Sequence, residues 1–112
     1  TARLDPQLEL NIAVEDGFGE SPGGRFDIVW TERDCYNFHY TEPDGIDFRF
    51  DRHPEPHAPE KHVHEPPAAD TREPSCIEVE HVDIVARAVL HCWRTAYNRD
   101  DPSVVNSQSN PP

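Results

Sequence analysis

The sequence predicts an α+β fold: an antiparallel β-meander of four to five strands packed against one C-terminal α-helix. Three observations carry this expectation. Four early segments place an apolar residue at every second position, Gly, Pro and Asp residues separate them, and one later segment repeats its apolar residues at helical spacing. At 112 residues the chain suffices for one compact domain with a modest core and is too short for two of ordinary size. We read a single domain over residues 1–98 and a flexible polar tail over 99–112.

The first segment, Leu8 to Val14, sets Leu8, Leu10, Ile12 and Val14 against polar or small neighbours, the period of a half-buried strand. Gly17 to Gly24, with four glycines and Pro22, then turns the chain. Arg25 to Thr31 aligns Phe26, Ile28 and Trp30, and Cys35 to Thr41 aligns Tyr36, Phe38 and Tyr40, with Glu32, Arg33 and Asp34 as the tight connection. After the turn signal Pro43-Asp44-Gly45, Ile46, Phe48 and Phe50 alternate with Asp47, Arg49 and Asp51. The stretch from His53 to Ser75 holds six of the twelve prolines and reads as an irregular loop, a lid or a recognition arm. Ile77 to Glu80 offers a short fifth strand. From Val82 to Tyr97 the set Val82, Val85, Val89, Cys92 and Ala96 follows helical spacing and has the length to cover the aromatic sheet face. His81 falls near the start of that helix and His91 on its outer side, while Trp30 and Trp93 read as core.

Composition narrows the setting. Twenty-two Asp and Glu oppose ten basic residues, and Lys61 is the only lysine. Acid excess with almost no lysine resembles the cytoplasmic proteins of salt-in halophiles, so a haloarchaeal source and a cytoplasmic location are expected. An acidic disordered protein or a nucleic-acid mimic shares that composition. The aromatic strands argue against full disorder. A net charge of −12 would repel nucleic acid in dilute buffer. In molar salt the Debye length falls to roughly 3 Å, so only local contacts count and RNA is not excluded. Cys35, Cys76 and Cys92 form no Cys-x-x-Cys pair, which disfavours a disulfide framework or zinc ribbon and leaves free, mostly buried thiols. No apolar stretch approaches the ~20 residues of a membrane helix, and no membrane partner is expected.

The chemistry concentrates between Phe48 and His64, where Arg49, Asp51, His53, His57, His62 and His64 fall within seventeen residues. Strand parity turns His39, Arg49 and Asp51 away from the helix, and cross-strand neighbours lie about 5 Å apart, so these three and His53 fit one polar cluster. One reading is phosphodiester cleavage without metal by His39, Arg49, Asp51, His53 and His57. A histidine removes the 2′-hydroxyl proton, another group protonates the leaving oxygen, Arg49 stabilises the phosphate and Asp51 orients a ring. A second reading is a metal site in which His53, His57, His62 and His64 ligate zinc or another divalent transition metal, with Asp51 or Glu60 supplying oxygen. The plain alternatives are an Arg-Asp pair decorating a solvated sheet face and a solvent-exposed histidine loop.

The order Tyr-x-Phe-x-Tyr at Tyr36 to Tyr40, then Asp44-Gly45, then Phe48-Arg49-Phe50-Asp51, then a His and Pro loop leading to Lys61-His62-Val63-His64, then a helix, resembles the TumE family of toxin-like proteins. The resemblance covers Asp34 to Tyr97 and matches that family's pattern at Arg49, Asp51, His53, His57, His62 and His64. Arg52 stands where the family has Asn. What it implies is a ribonuclease-like toxin of a prokaryotic toxin-antitoxin pair, acting on RNA, neutralised by a helix-turn-helix antitoxin, with a homodimer as a further option. No cofactor is expected under that reading. A non-catalytic metal-binding or protein-interaction module is the alternative.

Overall fold

All four alternating segments form strands in the computed structural model, which describes residues 7–31, 35–52, 61–79 and 81–107. The order is β1 (Gln7–Val14), β2 (Gly24–Thr31), β3 (Tyr36–Thr41), β4 (Asp47–Arg52), β5 (Lys61–His64), β6 (Glu73–Pro74) and α1 (Val82–Asn98). The strands pair in chain order, each antiparallel to its neighbour, in one six-stranded sheet. This is the expected α+β arrangement with one strand beyond the expected four to five.

Turn chemistry sets the hairpins. Gly23 closes the β1–β2 connection at φ +144°, and a Cβ there would sit 2.1 Å from the Val14 carbonyl oxygen, so no other residue fits. At the β3–β4 turn Gly45 takes φ +105°, and the Glu42 N–H donates to the Ile46 carbonyl at 2.8 Å.

With the turns set, parity buries one face. Phe26, Phe38, Tyr40, Phe48, Phe50 and Val63 are nearly or fully buried beneath Val85, Ala88, Val89, Cys92 and Ala96 of α1. Full burial of such a side chain contributes about 1.5–3 kcal/mol. Tyr40 anchors the aromatic layer, with ring centroids 4.8 Å from Phe26 and 5.2 Å from Phe48. Trp30 and Trp93 pack half-buried against this core. Helix α1 begins at Val82 with His81 at its N-cap, near the start as expected, and carries Asp83 in its first turn, where a carboxylate complements the helix dipole.

Several local expectations are corrected. Lys61–His64, read as part of an irregular loop, is a strand, because the single apolar residue Val63 has the parity to enter the core opposite Phe50. Ile77 to Val79 is not a strand: Ile77 points into the core, and the short pairing falls instead on Glu73 and Pro74. The first residues of the polar tail are tied down, since Val105 is buried and the Asn106 side chain accepts from the Cys76 N–H at 2.7 Å and donates to the Pro74 carbonyl. Leu8 and Leu10 of β1 remain 56% and 48% exposed, because β1 is the sheet edge and α1 lies over β3. Of the thiols only Cys92 is fully buried; Cys76 and Cys35 are half-buried.

Candidate functional site

The polar face of the sheet is built by the residues that alternate with the core. On β4, Asp47, Arg49 and Asp51 point away from the aromatic layer while Phe48 and Phe50 enter it. Register then fixes their neighbours. Arg49 lies opposite His39 on β3 and opposite His64 on β5, and Asp51 lies opposite Asn37 on β3 and His62 on β5. One continuous row therefore reads Asp27, His39, Arg49, His64 across four strands.

Two histidine–carboxylate pairs flank the guanidinium. On the β3 side, His39 Nε2 lies 2.6 Å from Asp47 Oδ1, with both side chains about one-third exposed. On the β5 side, Asp51 Oδ2 collects three nitrogens: His64 Nε2 at 3.2 Å, Arg49 Nε at 3.3 Å and His62 Nε2 at 3.4 Å. The two faces of the row differ in access. Arg49 is 34% exposed, whereas the side chains of Asp51, His64 and His62 are at most 10% exposed. Burial, reinforced by the neighbouring Arg49 charge, lowers the His64 pKa below its ordinary value. The His62 and His64 rings meet edge to face, 5.1 Å between centroids. Asp51 Oδ1 is buried and accepts no hydrogen bond from the described residues.

The expected cluster of His39, Arg49 and Asp51 is thus present on one face, and His62 and His64, assigned to the metal reading, join it. His53, His57 and Glu60 lie outside the described residues. Two polar residues escaped the sequence reading. Asp47, the partner of His39, shares strand parity with Arg49 and Asp51, and that parity was the available signal. Glu42 is buried at the end of β3, where it accepts from the Phe18 N–H at 3.1 Å and the Tyr40 hydroxyl at 2.5 Å. No local pattern marks Glu42, because Phe18 is 24 residues distant. A hollow of about 520 Å³ opens beside Glu42, lined also by Val14, Gly23, Arg25 and Thr41, and none of the described histidines lines it.

Chemically, the face offers two imidazoles on either side of a cation, each held by a carboxylate. No helix among the described residues is long and apolar enough to cross a membrane. The sequence model of the family described as Toxin TumE matches residues 5–96, which adds β1 and β2 to the stretch carrying the resemblance above. No curated protein and no solved structure gives a significant match.

Proposed function

The chain belongs to the TumE toxin family, the toxin side of toxin-antitoxin pairs, and on that premise we propose that it acts as an endoribonuclease whose chemistry is supplied by His39, Arg49, His64 and Asp51. The observation that supports this reading is the row in which Arg49 stands between His39 on one neighbouring strand and His64 on the other. Cleavage of RNA by its own 2′-hydroxyl needs three services: removal of that proton, protonation of the departing 5′-oxygen, and stabilisation of the charged phosphate between them. Two imidazoles on opposite sides of a guanidinium match those services in number and order. One ring takes the 2′-hydroxyl proton as the 2′-oxygen bonds to phosphorus. The other donates its proton as the bond to the 5′-oxygen breaks, leaving a 2′,3′-cyclic phosphate and a 5′-hydroxyl. Asp47 and Asp51 hold the rings, and Arg49 binds a non-bridging phosphate oxygen. His53 and His57, which lie outside the described residues, belong to the same proposal as further candidates for the proton transfers. The partner under this reading is a helix-turn-helix antitoxin that covers the toxin until it is lost.

The test is cleavage of total RNA by the purified chain, in dilute buffer and in molar KCl, with and without chelator. Arg49→Ala and His39→Ala are each expected to lower the rate by about 10²–10⁴-fold while far-UV circular dichroism is unchanged. Equal cleavage by both variants, or cleavage abolished by chelator in the unmodified chain, overturns this mechanism.

A further inference from the structure

We propose that Asp51, His62 and His64 form a binding site for one divalent transition-metal ion of the zinc type. Their ligand atoms all lie within 4.8 Å of one another, and the three residues are buried. The donor set is chemically apt, since two neutral imidazoles and a carboxylate with an open fourth position suit zinc and its neighbours better than calcium or magnesium.

Distances sharpen the assignment. Ligand atoms about 2.0–2.1 Å from a tetrahedral ion stand about 3.3–3.4 Å from one another. Asp51 Oδ2 is 3.4 Å from His62 Nε2 and 3.2 Å from His64 Nε2, close to two edges of such a tetrahedron. The same separations exceed the ~2.7–2.9 Å of a charge-assisted hydrogen bond, although both rings present Nε2 to one oxygen. Strand pairing enforces the convergence: His62 lies directly across from Asp51, and His64 follows two residues later on the same side of β5. Arg49 is the opposing charge, with Nε 3.3 Å from the same oxygen. Its side chain is one-third exposed, and its contact with Oδ2 steadies the Asp51 carboxylate beside the ion, as polar neighbours commonly do for ligating carboxylates, while the buried Oδ1 accepts no hydrogen bond from the described residues.

This site stands whether or not the chain cleaves RNA. If it does, an ion on His64 removes one of the two catalytic rings, and zinc inhibits.

The experiment uses the chain stripped with chelator and titrated with Zn²⁺ against a chromophoric competitor, with Co²⁺ absorption as a spectroscopic readout. One ion per chain is expected, with the intense visible bands of four-coordinate Co²⁺. Asp51→Asn and His64→Ala are each expected to weaken binding at least tenfold, while the double variant His53→Ala/His57→Ala keeps it. Absence of stoichiometric binding, undiminished affinity in Asp51→Asn and His64→Ala, or loss confined to His53→Ala/His57→Ala overturns the site. Asp51→Asn preserves shape, and the Co²⁺ spectrum of the unmodified chain reads coordination without any variant.

Discussion

The two faces of this sheet are made by the same strands and share almost nothing else. On β4, Phe48 and Phe50 are fully buried against the aromatic layer, while Asp47 and Arg49, one residue away in each case, are half-buried and polar. The core face is held by area removed from water and is closed by α1. The other face is held by pairs of opposite charge and remains partly open around His39 and Arg49. The difference teaches where stability and chemistry reside: one face is costly to alter and chemically inert, the other is reactive and cheap to alter, except where Asp51 and His62 sink into it.

Substitutions on each side of that divide sharpen the contrast. The largest stability effect is expected for Phe48→Ala, which removes a fully buried ring between Tyr40, Phe26 and Phe50 and costs about 3–5 kcal/mol, read as a lower urea midpoint. Next comes Glu42→Ala. It strips the acceptor from the Phe18 N–H and the buried Tyr40 hydroxyl, whose pKa is already raised by burial and by Glu42, and costs about 1–3 kcal/mol. The smallest is His39→Ala, which breaks a pair about one-third exposed and is worth under about 1 kcal/mol, although RNA cleavage falls steeply under the proposed mechanism. A His39 variant that unfolds as readily as Phe48→Ala would erase the distinction between the faces.

Legibility in the sequence follows the range of the forces involved. The alternation of Phe26, Phe38, Tyr40, Phe48 and Phe50, the Asp44-Gly45 turn and the stripe of Val85, Val89, Cys92 and Ala96 are local, and all three behave as expected. Parity likewise assigned His39, Arg49 and Asp51 to one face. Proline density concealed β5, because a four-residue strand with one apolar residue carries too little periodicity to be seen beside so many chain breakers. Edge position concealed the exposure of Leu8 and Leu10: their alternation reads the same whether or not a helix covers them.

The sequence by itself determined the first four strands, their antiparallel order, the helix and the face on which the residues of those strands fall, because backbone periodicity and turn conformations act over a few residues. Only the tertiary structure decided that β5 pairs with β4 in the register that brings His62 and His64 onto Asp51, and that His39 and Arg49 stay accessible while those three are buried. Register between strands separated by a long connection depends on which side chain fills the remaining space in the core, here Val63 beside Phe50. That choice is made by packing across the whole domain, not by any short run of residues.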